Sequence, residues 1–146
     1  MRSFCMGAME GGFRHGVRIM FGPVLALLLF AACSKPGPTP EELASRAAKT
    51  YYDHLVSGRY ADYVAGLNVP DSIPDGYREQ LVTNAKMFAA VQQKEHQGMS
   101  GVEVLRARTD SLSGNTLVYL LLCFGDSARE EIVVPMVERD GVWKMR

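Results

Sequence analysis

The hydrophobic periodicity of this chain changes once, at about Gly101, and that single change fixes the class of fold available to it. Upstream, Ala44, Ala48, Tyr51, Tyr52 and Leu55 recur at helical spacing. Downstream, apolar residues alternate with a period of two, the pattern of strands. Thr39-Pro40-Glu41-Glu42 reads as a helix start, with Thr39 as N-cap, Pro40 at the first position and Glu42 closing a capping box. This first helix runs to about Ser57, where Gly58 stops it. A second is predicted from Tyr60 to about Leu67, with Tyr60, Tyr63, Val64 and Leu67 on its apolar side. After the loop Asn68 to Pro74, a third runs from Asp75 to about Gln93, striped by Tyr77, Leu81, Ala85, Phe88, Ala89 and Gln92, and Gly98 and Gly101 close it.

Four strands follow: Val102 to Thr109, Thr116 to Phe124, Arg129 to Glu138 and Val142 to Met145. The breaks around Gly114, Gly125 and Asp140-Gly141 are short enough for hairpins. Three helices followed by an antiparallel meander predict an α+β domain, its helices packed on one face of a four-stranded sheet. In the second strand Val118, Leu120, Leu122 and Phe124 point one way and Leu117, Tyr119, Leu121 and Cys123 the other, so both faces are apolar. A sheet solvated on one side alternates with polar residues, and the outer face is therefore expected to be covered by something besides the helices. Pro135 lacks a ladder donor and is expected to sit in a bulge. Arg106 and Arg108 are read as charges protecting an edge, and Trp143, Tyr52, Leu55 and Phe88 as sharing one core.

Across 146 residues, 16 Lys and Arg balance 16 Asp and Glu, which argues against a nucleic-acid partner. The balance hides two unlike parts. Residues 1 to 33 hold Arg2, Arg14 and Arg18 against Glu10, leaving 13 basic and 15 acidic residues in the remainder. Ile19 to Ala32 is an uncharged apolar run, too short for a bilayer span of about 20 residues but suited to the core of a secretory signal. Phe30-Ala31-Ala32-Cys33 resembles the lipobox of bacterial lipoproteins, with Phe30 in place of the usual Leu. That resemblance implies a signal peptide over 1–32, acylation of Cys33 and a stable membrane anchor. Ser34 to Pro40 (SKPGPTP) then forms an extended tether of roughly 20 Å, so that 33–40 is lipidated cysteine and tether and 41–146 is the domain. Neither Ser34 nor Lys35 is the Asp that commonly retains such lipoproteins in the inner membrane. The expected location is the cell envelope, at the outer membrane. Cys5 leaves with the signal, so Cys123 is the one cysteine of the folded part. In LVYLLLCFG it is read as a small buried hydrophobe, and no disulfide is expected.

The packing residues Ala48-x-x-Tyr51-Tyr52-x-x-Leu55-x-x-Gly58-x-Tyr60, with Phe124-Gly125-Asp126 and Val137-x-x-Asp140-Gly141-x-Trp143-Lys144-Met145 downstream, resemble small bacterial lipoproteins of the nuclear transport factor 2-like (NTF2-like) superfamily. Within it they are most similar to the DUF4878-type, lumazine-binding-like group. The resemblance implies a cone, with three helices in the concavity of a curved sheet, often enclosing a pocket and often dimerising through the outer sheet face. It also implies that an enzyme on this fold would work through a pocket acid or base.

Chemistry-bearing motifs are sparse. His54, His96 and Cys123 lack metal-ligand spacing, no phosphate-cradling glycine pattern occurs, and neither a metal nor a cofactor is expected. His54 is read as half-buried on the flank of the first helix, and His96, in KEHQ, as a solvated cation. Asp126, Glu130 and Glu131 read as a solvated rim. The pocket candidates are Tyr51, Tyr52, His54, Tyr63 and Trp143. Tyrosines, with a pKa near 10, suit hydrogen bonding to a ligand better than proton abstraction at neutral pH. These residues predict a non-catalytic module for a small ligand or an envelope protein. The alternatives are a dehydratase- or isomerase-like enzyme and an inhibitory or structural partner.

Overall fold

A computed structural model describes residues 37–146. The expectations for Cys5, the signal peptide over 1–32, Cys33 and the first residues of the tether lie outside the described residues. Three helices, α1 (Pro40–Val56), α2 (Tyr60–Ala65) and α3 (Asp75–His96), precede four strands, β1 (Met99–Thr109), β2 (Thr116–Phe124), β3 (Arg129–Arg139) and β4 (Val142–Met145). The strands form one antiparallel sheet in the order β1-β2-β3-β4.

The N-terminus of α1 is built as its sequence predicts. Thr39 is extended, its hydroxyl accepts from the Glu42 N–H, and the Glu42 carboxylate accepts from the Thr39 N–H. This reciprocal pair satisfies two of the donors a helix start leaves open. Ala44 and Ala48 present almost no side chain, so the axis of α1 approaches the sheet closely and the helix touches all four strands. Beneath it lie Val118, Leu120 and Leu122 of β2, Val134 and Met136 of β3 and Met145 of β4. Leu120 and Met136 are fully buried, each burial stabilising the fold by about 1.5–3 kcal/mol. Short α2 packs on α1 and on long α3, and α3 packs chiefly on α2, with lesser contact to β1 and α1.

The hairpin turns follow from local chemistry. Asp140 and Gly141 both take positive φ, 53° and 77°, as a two-residue turn matching the strand twist requires. Between β1 and β2 the Asp110 carboxylate accepts from the Leu112 N–H and the Ser113 hydroxyl, and Gly114 takes the left-handed position. The β4 edge is closed by the chain leaving α2: the Met145 N–H donates to the Gly66 carbonyl at 2.8 Å, and the Asn68 N–H to the Met145 carbonyl at 2.7 Å.

Several expectations are corrected. Pro135 stands opposite Leu117 in an unbroken ladder. Its carbonyl accepts from the Arg146 N–H at 2.9 Å, so its ring nitrogen faces the same edge, past Met145, the last residue of β4, where no ladder donor is required. The irregularities lie in β1 instead, between Met99 and Gly101 and between Val104 and Arg106. They give the edge strand the local bend that a bulge introduces and carry Gly101 inside the strand rather than before it. Helix α3 continues three residues past Gln93 and ends where Gln97 turns left-handed at φ 58°. Phe88 does not share the core of Trp143 and Tyr52; it is 42% exposed, because α3 buries only Ala85 fully. Cys123 lies half-buried on the outer sheet face, since the strict alternation of β2 gives the helix-facing positions to its neighbours Leu122 and Phe124.

Candidate functional site

Successive residues of a helix point about 100° apart, so the adjacent tyrosines of α1 serve different neighbours. Tyr51 turns to β4, where its hydroxyl donates to the Trp143 carbonyl at 2.9 Å, and its ring occupies the space a Cβ on Gly66 would need. Tyr52 turns to α2 and meets Tyr63 edge to face, with ring centroids 5.6 Å apart. Burial raises the pKa of both members of this pair, for Tyr52 with a further push from the neighbouring Tyr63 hydroxyl. Burial raises the Tyr51 pKa as well. All three hydroxyls are therefore held neutral well beyond physiological pH.

His54 is half-buried, as expected, and its Nδ1 is buried without a hydrogen-bond partner among the described residues. Trp143 is half-buried against the core. Around Tyr63 opens a cavity of about 220 Å³ under α3, lined also by Leu55, Leu67, Leu81, Asn84, Ala85 and Phe88. Of the five residues singled out from the sequence, Tyr63 belongs to this lining, and Tyr52 braces it from behind. The others are positioned elsewhere. The lining residues of α3 were legible only as an apolar stripe, because helical spacing cannot distinguish a side chain that fills a core from one that borders a void. Tyr63 is the one titratable group in the lining, and Asn84, whose side-chain oxygen accepts from Gln80 at 3.0 Å, supplies the remaining polarity.

Other chemical candidates find partners. His96 Nδ1 lies 2.9 Å from an Asp126 carboxylate oxygen and its ring stacks at 4.8 Å on Phe124, so it is a paired group rather than a free solvated cation. Arg106 lies over the Tyr119 ring at 3.8 Å and donates to Glu131 at 2.8 Å, which places both charges on the outer sheet face. No group of three or more His, Cys, Asp or Glu side chains converges as a metal site among the described residues.

No protein-family model matches the chain, and the comparison with curated proteins finds no match. Among solved structures, a Campylobacter jejuni protein described as a candidate NTF2-like transpeptidase superposes with a TM-score of 0.55 over 68% of this chain and 94% of that one, at 13% identity. The fold is NTF2-like. At that identity the likeness speaks to architecture alone. In this NTF2-like domain the core side chains of α1 and the sheet pack against one another, and one of the openings that remain lies on the helical side, under α3.

Proposed function

We propose that the chain is a lipid-anchored envelope protein whose NTF2-like cone acts as a non-catalytic binding module, taking a small, mainly apolar ligand under α3. The lipobox-like Phe30-Ala31-Ala32-Cys33 and the proline tether support the anchor at Cys33 and a location at the outer membrane. The binding role is carried by one observation: the cavity under α3 is lined by apolar side chains with a single tyrosine and a single amide at their disposal. Apolar walls with a few placed polar groups characterise ligand sites. General acid–base work asks for a group with a pKa near the working pH, and burial moves Tyr63 the other way. The group-transfer activity in the description of the Campylobacter jejuni protein asks for a nucleophile beside a base, and this lining supplies neither.

The cavity is tested with a neutral fluorescent probe, 1-N-phenylnaphthylamine, titrated into residues 37–146. Saturable enhancement is expected, and Phe88→Asp, at a side chain already 42% exposed, should abolish it while leaving the circular dichroism unchanged. Enhancement that survives Phe88→Asp would place the ligand elsewhere. The anchor is tested separately: peptide mass spectrometry of the membrane fraction should show Cys33 acylated, and Cys33→Ser should release the protein. An unmodified Cys33 in that fraction would refute it.

A further inference from the structure

A second cleft, of about 370 Å³, lies between the α2–α3 loop and the β3–β4 hairpin. It shares only Leu67 with the cavity under α3, and its chemistry is opposite. We propose that it binds a small monocarboxylate with a short aliphatic body.

Three cations from three elements border it: Arg78 in the first turn of α3, Arg139 at the end of β3 and Lys144 in β4. Antiparallel pairing of Arg139 with Val142, and of Val137 with Lys144, puts Arg139 and Lys144 on one side of the hairpin. Two of the three are fixed by backbone carbonyls. Lys144 Nζ donates to the Ala65 carbonyl at 2.7 Å, and Arg139 Nη1 reaches the Val69 carbonyl at 3.4 Å. A carbonyl orients an ammonium or guanidinium without neutralising it, and each keeps further N–H donors for a ligand. Neither Arg78 nor Lys144 has a carboxylate within 4.0 Å among the described residues, and Arg139 has only Asp140 at 4.0 Å, whose side chain is 94% exposed. Charged groups held in place without a carboxylate partner are poised for charge-assisted hydrogen bonds, and the guanidinium fork matches a carboxylate.

The remaining lining sets the class of anion. Asp71 and Asp140 also border the cleft, so the formal balance is one positive charge, which suits a monoanion and penalises a dianion such as phosphate. Val64, Leu67 and Val142 supply an apolar wall. The volume lies within the roughly 300–1,000 Å³ range of small-molecule sites. The Leu67–Asn68 side of the lining is tied to β4, because the Asn68 N–H donates to the Met145 carbonyl and the Met145 N–H to the Gly66 carbonyl.

Isothermal titration of the full chain, purified in a nonionic detergent, with sodium hexanoate tests this. Saturable binding is expected, at least tenfold weaker for hexanamide and for inorganic phosphate, and at least tenfold weaker in both Arg139→Gln and Lys144→Met. Thermal unfolding of each variant shows that it remains folded, and Arg78→Ala, at an exposed side chain with no hydrogen bond or ion pair among the described residues, serves as a third variant. Hexanamide binding as tightly as hexanoate would reduce the cleft to an apolar surface, and phosphate binding as tightly would overturn the monocarboxylate. Undiminished binding in all three variants, or no binding of hexanoate, would remove the site. None of these outcomes bears on probe binding under α3.

Discussion

Gly66 shows how much of this fold depends on a single absent atom. Its backbone is ordinary, φ −78° and ψ −12°, so no left-handed conformation calls for glycine. Space does: a Cβ here would lie 2.4 Å from the Tyr51 ring. That ring cannot easily retreat, because its hydroxyl is bonded to the Trp143 carbonyl and the Gly66 carbonyl is itself bonded to Met145. Gly66→Ala should therefore destabilise the protein by about 1–3 kcal/mol, as overpacking does, and Tyr51→Phe by about 1 kcal/mol for the lost hydrogen bond. In a Tyr51→Ala background the Gly66→Ala penalty should largely vanish, a coupling that a double-mutant cycle in urea measures. A full penalty in that background would mean the glycine is needed for another reason. The sequence suggested Tyr51 as a notable residue, but as a pocket group. Its partners are 15 and 92 residues away, and periodicity reports which face a side chain occupies, never which distant backbone it will meet.

Elements were far more legible than their junctions. The start of α1 and the whole of β2 and β4 fall where spacing places them, because capping chemistry and strict alternation are local signals. The end of α3 was less so. Its polar tail, KEHQ, carries no periodicity, and what extends the helix to His96 is a tertiary clasp. His96 reaches the Asp126 carboxylate, the Asp126 N–H donates to the His96 carbonyl at 3.1 Å, and the Gly125 N–H donates to the Gly98 carbonyl at 2.9 Å. Asp126 is held below its ordinary pKa chiefly by the Ala128 N–H and then by His96. A carboxylate whose folded pKa is depressed contributes stability above its unfolded value, near 3.8, and loses it as pH falls through the folded pKa. Asp126→Asn keeps an oxygen for the Ala128 N–H but no charge for His96. The variant should unfold at lower urea than the parent between pH 5 and 7, with the gap closing below about pH 4. A gap of constant size down to pH 2 would assign the effect to shape rather than to charge.

At the scale of the molecule, the two faces of the sheet have had different fates. Helix α1 covers the face of Val118, Leu120 and Leu122, while Leu117, Tyr119, Leu121 and Cys123 of β2 stay half-buried on the other. Beside them on β3 stand Pro135, Val137 and Val133, the last 48% exposed. Arg106 and Glu131 do not interrupt this band but close over it, one stacked on Tyr119 and each paired with the other. Monomers seldom leave a large contiguous apolar patch in water, and two-fold pairing buries the same patch on both partners at once. We propose self-association through this face, with the Arg106–Glu131 pair over Tyr119 forming part of the contact surface. Light scattering on residues 37–146 should give twice the mass of that fragment at tens of micromolar. Val133→Lys puts a charge at the centre of the band, on a side chain whose exposure lets the domain fold without it, and should return the monomer with unchanged circular dichroism. A dimer indifferent to Val133→Lys would have formed through another surface. A parent that stays monomeric at that concentration would refute self-association through this face.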